Sequence, residues 1–340
     1  MSATKRIAHV DFLKLFAIAT VLLGHSVEQL SADKFWDHPV WSFIYSFHMP
    51  LFMFLSGLFF RSSLRKGFPE VLRTRLVQLG VPSVTAFLLG LGIMKAFGVT
   101  SIADLCEISF AGFMNSVWFL KCLLFCIAIM WPLVKLLRND GVAAVVASVA
   151  ILFIPEADVV NLNFMLPCFC LGMVCGLHAD AVERHRRTLL WMSAIAFAVL
   201  LPFWGGRLTV YMVPTHVLSV SPLGVDLGNL GLSVYRLAIG LSGSMLLYLL
   251  SPWAYRLVAG TWFDRLVPEL GGATLGIYVV QTFLLEILVH SLGIYLPCAL
   301  SSVVAPLLAL VELFACYGIV RLIRLSCVAS ILVLGEQRRR

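Results

Sequence analysis

The sequence predicts an all-α membrane protein with about ten transmembrane helices and both termini on the cytoplasmic side. Three observations predict it. Of 340 residues, 60% are hydrophobic and only 13% charged, and the mean hydropathy is +0.96. Apolar windows of roughly 20 residues recur along the chain, without the alternation that a β-barrel strand needs. Basic residues crowd into alternate gaps between those windows. Water could not hide so much apolar surface in a soluble domain, so the solvent for this chain is a lipid bilayer.

The windows are 10–30, 41–60, 77–98, 114–137, 141–156, 162–178, 188–205, 231–251, 270–290 and 297–322. The first reads as a retained anchor, because no short leader with a small-residue cleavage site precedes it. The fifth is short and is expected to tilt or to lie within protein. No internal repeat or low-complexity stretch divides the chain, so 1–340 reads as a single polytopic domain.

Orientation follows from the cations. With the N-terminus inside, the cytoplasmic gaps hold Lys5 and Arg6, then Arg61, Arg65, Lys66, Arg73 and Arg75. Lys135, Arg138, Arg184, Arg186, Arg187, Arg256 and Arg265 follow, and the tail carries Arg321, Arg324, Arg338, Arg339 and Arg340. The opposite gaps hold little beyond Lys34 and Arg207. This asymmetry favours both termini inside, which requires an even number of crossings. The net charge of +7 is therefore a topology signal and does not argue for nucleic acid. The nine cysteines fall mainly inside apolar windows, three of them (Cys168, Cys170 and Cys175) in one window. They read as small buried residues rather than metal ligands or disulfides.

Two outer segments are long enough to recognise a ligand. Residues 28–40 are comparatively acidic and include Trp36. Residues 205–230 carry Gly205, Gly206, Pro214, Pro222 and Gly224, which predicts an ordered loop rather than a helix.

Ionisable groups within the windows are costly and by default mark a functional path. Lys14 and His25 are eleven positions apart, about three helical turns, so they share a face and stand roughly 16 Å apart along the axis. Asp11 precedes Lys14 by three and can pair with it or cap the helix. His25 is one of few groups whose ordinary pKa suits proton transfer at neutral pH. His48, on the next window, is expected within about 6 Å of the same depth. Pro50 frees a carbonyl in the preceding turn and should bend the helix there. Ser56 and Gly57 read as a close-packing pair. Arg73 and Arg75, with Arg61, Arg65 and Lys66, serve either as topology signals or as a site for a phosphorylated donor. Trp118 reads as an interfacial belt residue or a sugar-stacking platform. Lys121, an intramembrane cation with no route outward past Trp118, should face a polar cavity, and Arg236 is a similar candidate.

The order of these segments resembles the acyltransferase-3 family of polytopic membrane O-acyltransferases. The matching pieces are Asp11-Phe-Leu-Lys14 through Gly24-His25 and Phe47-His48-Met49-Pro50 through Ser56-Gly57. Leu72-Arg73-Thr-Arg75 through Val81-Pro82, Val117-Trp118-Phe119-Leu120 and Gly271-Gly272 through Ile277-Tyr278 complete the series. The last is most similar to the branch containing fucose 4-O-acetylase-type proteins. The family signature is an Arg and a His separated by ten residues. Here Lys14 stands at the Arg position, keeping the charge but losing the bidentate fork, and His25 matches. Many members carry a His after the late Ile-Tyr pair, where this chain has Gln281.

The resemblance implies acetyl-coenzyme A (or another acyl-CoA) as a cytoplasmic donor substrate, with no permanently bound cofactor and no metal. It implies a glycan or lipid-linked sugar as acceptor and residence in a bacterial inner membrane. Lys14, Arg73 and Arg75, with Asp11 orienting Lys14, would meet the donor. His25 and His48 would be catalytic, His25 acting as general base or as transient acyl carrier. Trp118, Lys121 and Arg236 would meet the acceptor. A secondary transporter or flippase is the competing expectation, though no inverted repeat supports it. A scaffold without chemistry would leave the intramembrane ionisable residues unexplained.

Overall fold

The computed structural model describes residues 7–96, 110–154, 160–205, 209–213, 215–220, 223–284 and 294–336. Lys5, Arg6, Gly206, Arg207, Pro214, Pro222, residues 285–290 of the ninth window, and Arg338, Arg339 and Arg340 lie outside the described residues.

Each apolar window contains a helix. The chain opens with α1 (Ala8–Ser31), a short 3-10 turn, α2 (Pro39–Tyr45) and α3 (His48–Leu58). Next come α4 (Arg61–Leu64), α5 (Phe68–Arg75), a π turn over Leu76–Gly80, and α6 (Val81–Ala96). The middle of the chain forms α7 (Phe110–Asn115), α8 (Trp118–Leu137), α9 (Asp140–Leu152), α10 (Leu162–Leu177), α11 (Ala179–Arg184) and α12 (Arg186–Leu200). A small antiparallel hairpin, Leu218–Val220 with Leu223–Val225, precedes α13 (Leu227–Val258). The chain ends with α14 (Val267–Gly271), α15 (Thr274–Leu284), α16 (Cys298–Ile323) and α17 (Cys327–Leu334).

Among the described residues, seven helical stretches are long and apolar enough to cross a membrane: Ala8–Ser31, Pro39–Leu64, Phe68–Ile93, Trp118–Leu137, Arg186–Phe203, Leu227–Val258 and Cys298–Ile323. The chain is thus an all-α membrane protein. Three further apolar helices, α9, α10 and α15, have 13, 16 and 11 described residues. At 1.5 Å per residue they extend about 17 to 24 Å, short of a hydrocarbon core of about 30 Å.

In the apolar 18-residue window of Pro39–Leu64, 72% of the residues are buried within the protein, against only 6% in that of Arg186–Phe203. The first is a central element and the second a peripheral one whose apolar side chains face outward. The centre is built around α1, which packs on α3, α13, α14 and α16. Close approach is licensed by glycines. A methyl group at Gly57 of α3, or at Gly172 or Gly176 of α10, would collide with the facing backbone. Gly57 of the Ser56–Gly57 pair is thus the crossing point of α3 and α10, as small residues at membrane helix interfaces allow, while the Ser56 hydroxyl donates to the Phe52 carbonyl of its own helix. Gly271 of α14 meets the backbone of Asp11 in the same way.

The second window departs from one bent helix. It breaks fully at Ser46–Phe47, ahead of Pro50. Pro50 then occupies the first turn of α3, where a missing N–H costs nothing. The 205–230 segment is ordered in its described parts. They fold as the hairpin and a turn around Tyr211, followed by the first residues of α13.

Candidate functional site

Two cavities meet in the middle of the molecule. One, of about 590 Å³, is walled by His25, Glu28, Tyr45, His48, Trp118, Tyr211, Tyr278 and Gln281 among others. The second, of about 810 Å³, is walled by Lys14, Ser56, Phe59, Lys66, Arg75, Gln78, Tyr278 and Glu336 among others. Met49 and Tyr278 line both. The eleven-residue interval on α1 therefore places Lys14 in one chamber and His25 in the other.

In the histidine cavity, α1 carries His25 and Glu28 three positions apart, on one face. His25 Nδ1 lies 2.7 Å from Glu28 Oε2. The other carboxylate oxygen accepts the Trp41 indole N–H at 2.8 Å and the Tyr45 hydroxyl. Three donors thus hold one carboxylate, the condition for keeping a charge at this depth. The carboxylate accepts, so Nδ1 of His25 carries hydrogen and Nε2 is the basic ring nitrogen. Trp41 is fully buried, and its ring stacks on Tyr45 at 4.0 Å, so the Glu28 partners are themselves fixed by packing.

His48 follows the break between α2 and α3. Its Nδ1 lies 2.9 Å from the Ile44 carbonyl. A carbonyl only accepts, so Nδ1–H donates and Nε2 again carries the lone pair. The Tyr45 ring stands edge-on to His48 at 4.4 Å. The Tyr211 ring stacks on Phe164 at 5.3 Å and lies 6.3 Å from Trp118.

The cationic cavity is organised differently. Lys14 Nζ lies 3.1 Å from Asp11 and 4.7 Å from the centre of the Phe59 ring. Arg75 donates to Gln78 at 2.8 Å and to Ser63 at 3.2 Å. The π turn after α5 brings Gln78 to this wall, where its backbone meets that of Gly335. Gly335 takes φ 64°, a conformation glycine adopts without strain, and this closes α17 against the π turn. Glu336 lines the same wall but is neutralised by a two-pronged pair with Arg324, at 2.9 and 2.6 Å.

The structure sorts the sequence candidates. His25, His48 and Trp118 share the histidine cavity, while Lys14 and Arg75 share the cationic one, with Asp11 behind Lys14. Among the described residues, Arg73, Lys121 and Arg236 line neither. Arg73 is exposed on α5. Lys121 is buried and donates to the Ser116 carbonyl, with its ammonium 4.6 Å from the Phe113 ring centre. It supports the turn in which Val117 holds a left-handed φ of 38°, a costly conformation for a β-branched residue. Arg236 donates to the carbonyls of Thr209 at 2.9 Å and Val213 at 3.1 Å, and to Thr215. It straps down the turn that carries Tyr211, so it shapes the cavity from behind. The sequence places Met49 and Tyr278 in its motif segments without giving either a role, and it does not single out Glu28, Tyr45 or Tyr211. For Glu28 a signal exists, since a carboxylate three residues after an intramembrane histidine is a natural partner for it. No group of three or more His, Cys, Asp or Glu side chains that could hold a metal occurs among the described residues.

The family model for an acyltransferase domain (Acyl_transf_3) matches residues 7–321. The chain belongs to this acyltransferase family. Nodulation protein NolL of Sinorhizobium fredii is 30% identical to it over 295 residues, covering 82% of this chain and 78% of that protein. Nodulation protein NolL of Mesorhizobium japonicum is 27% identical over 287 residues, covering 80% and 74%. No solved structure matches. Membership decides between the enzyme and the carrier: the chain is a membrane acyltransferase. Each family-like segment has a place in the site. Phe47–Pro50 delivers His48 and Met49, Val117–Leu120 delivers Trp118, and Gly271–Tyr278 seats α14 on α1 and delivers Tyr278 to the junction of the cavities.

Proposed function

We propose that this acyltransferase moves an acetyl group from cytoplasmic acetyl-coenzyme A to a hydroxyl of a cell-envelope or exported carbohydrate. The observation that carries the reading is the adjacency of the two cavities. A cationic chamber suited to phosphates abuts a chamber holding a carboxylate-oriented histidine. The cationic chamber faces the cytoplasm, where the donor is made. Its cations, Lys14, Lys66 and Arg75, attract the donor phosphates. The pantetheine arm then reaches past Met49 and Tyr278.

In the histidine cavity, Nε2 of His25 takes the proton from the acceptor hydroxyl as its oxygen attacks the thioester carbonyl. Glu28 holds the ring and stabilises the imidazolium that forms. Collapse of the tetrahedral intermediate breaks the C–S bond, and the imidazolium returns its proton to the departing thiolate. His48 stands beside this centre as a second hydrogen-bonding ring. Trp118 and Tyr211 offer flat faces on which a sugar can stack.

The same reading assigns ten crossings, with α9, α10 and α15 among them, in one domain over 1–340. Both termini lie in the cytoplasm and the membrane is the bacterial inner membrane. The test is purified protein in detergent with labelled acetyl-coenzyme A and a panel of glycans. Label should appear on a glycan as a base-labile ester. Transfer from other acyl donors but not from acetyl-coenzyme A would refute the donor assignment. Cysteine-accessibility labelling in cells should find 61–75 inside and 205–230 outside; labelling of both from one side would refute the topology.

A further inference from the structure

The wall of the histidine cavity contains a buried, unpaired polar atom that the catalytic scheme leaves unused. Gln281 sits on α15 one turn beyond Tyr278, on the same face. It lines the histidine cavity and not the cationic one. Its side chain is buried, with 4% of the residue exposed, and among the described residues its Oε1 accepts no hydrogen bond. A buried acceptor left unpaired is destabilising, so such an atom is rare without a use.

The amide has a defined orientation. Thr282 Oγ1 donates to the Tyr278 carbonyl at 3.3 Å, which spends its only hydrogen. That oxygen can then only accept, and Gln281 Nε2 faces it at 3.4 Å. The end left over is the carbonyl oxygen. A small rotation about the last side-chain torsion, which has a broad minimum, presents it to a molecule in the cavity.

We propose that Gln281 is an acceptor-specificity residue: its Oε1 accepts a hydrogen bond from a second hydroxyl of the carbohydrate whose first hydroxyl is acylated at His25. The proposal rests on the carbohydrate reading given above. The chemistry fits a sugar because its hydroxyls come in neighbouring sets, so a ring that offers one to His25 has others to donate nearby. Stacking on Trp118 would fix the plane of the ring, and Gln281 would then fix its rotation within that plane. A pantetheine amide N–H could also satisfy a carbonyl. However, Gln281 lies beyond the shared Met49–Tyr278 boundary, on the side away from the cationic chamber.

The experiment compares wild type with Gln281→Met, which keeps length and removes the acceptor atom. Substrates are acetyl-coenzyme A with methyl hexopyranosides and their monodeoxy analogues. A site built to bind a hydroxyl discriminates strongly against an analogue lacking it. For wild type, one deoxy analogue should lose about tenfold to hundredfold in kcat/KM against its parent. With Gln281→Met the parent should fall by a similar factor, and that one deoxy analogue should lose almost nothing further. The KM for acetyl-coenzyme A should hold.

A variant that penalises the parent and every deoxy analogue equally would overturn the proposal, because Gln281 would then act only through packing. A rise in the KM for acetyl-coenzyme A, with acceptor discrimination intact, would overturn it in favour of a pantetheine contact. Wild type that hydrolyses acetyl-coenzyme A but acetylates no glycoside would refute the carbohydrate reading itself, and this assignment with it. That outcome appears in the wild type alone and is therefore distinguishable from a failure at Gln281.

Discussion

The two cavities hold their polar groups in opposite ways. In the histidine cavity the two imidazoles and their carboxylate are locked: His25 by Glu28, Glu28 by Trp41 and Tyr45, His48 by the Ile44 carbonyl. In the cationic cavity each lysine meets one carboxylate, Lys14 that of Asp11 and Lys66 that of Glu70, while Arg75 donates only to the neutral Gln78 and Ser63. The difference separates two tasks. Proton transfer needs a fixed angle and a fixed tautomer, so its groups are over-determined by hydrogen bonds. Gripping a phosphorylated ligand that must enter and leave needs attraction without rigidity. Substitutions should therefore read out differently. Changes in the first chamber should fall on kcat, and those in the second on the donor KM and its salt dependence.

The largest effect belongs to His25. His25→Ala removes the base and should abolish acyl transfer while the protein still inserts, checked by label transfer and by expression in the membrane fraction. Near-normal turnover would end the assignment of this chamber as the chemical one. Glu28→Gln keeps the shape and removes the charge that orients the ring. General acid–base contributions are worth about 10²–10⁴ in rate, and kcat should fall within that range with little change in either KM. If Glu28→Gln instead raises the acceptor KM and spares kcat, then Glu28 binds sugar and the comparison between chambers is drawn in the wrong place.

Much of this division could be read before any fold was known, and the limits have a physical cause. Lys14, His25 and His48 stand out because an ionisable group in an apolar window carries a cost that a sequence displays. The eleven-residue interval gives their separation along α1 by helix geometry alone. What sequence does not display is how neighbouring helices fold over that line. Tyr45, Tyr211 and Tyr278 look like ordinary aromatic residues of membrane helices, and only the assembly brings them to one wall. Arg236 and Lys121 carry the same cost as Lys14, yet backbone carbonyls of a nearby turn absorb their charge. Intramembrane charge therefore marks a place where something polar is met. It does not say whether that partner is a ligand or the protein's own loop. The full break at Ser46–Phe47 was likewise only half visible, because Pro50 signals an interruption but not its exact position.

Intermediate effects belong to the cationic cavity. Lys14→Ala should raise the donor KM or Kd about tenfold, as expected for loss of one charge-assisted contact. Lys14→Arg should keep substantial activity, because it retains the cation and adds donors. Arg75→Ala should behave like Lys14→Ala. The measurement is coenzyme A affinity in detergent at two salt concentrations. Wild-type affinity should fall as salt rises, since exposed charge pairs are screened over about 10 Å at 0.1 M. Each alanine change should flatten that slope. Wild-type-like affinity of Lys14→Ala at both salts would make Lys14 an anchor that snorkels to the headgroups.

The smallest effect is the one that best locates the edge of the cationic chamber. Arg73 and Arg75 sit on the same short helix, two positions apart, and as basic residues of one gap they read alike in the sequence. On a helix that spacing turns them about 200° from one another, so one face cannot hold both. Arg75 faces the cavity, held by Gln78 and Ser63, whereas Arg73 is exposed on the other side. Arg73→Ala should therefore change coenzyme A affinity by less than about twofold, the scale of an exposed charge with no fixed partner. Topology should survive too, because Arg61, Arg65, Lys66 and Arg75 keep the gap positive. The same two-salt titration checks it beside Arg75→Ala. Equal losses in the two variants would mean that α5 turns or unwinds when coenzyme A binds, and the chamber wall would have to be redrawn to include both arginines.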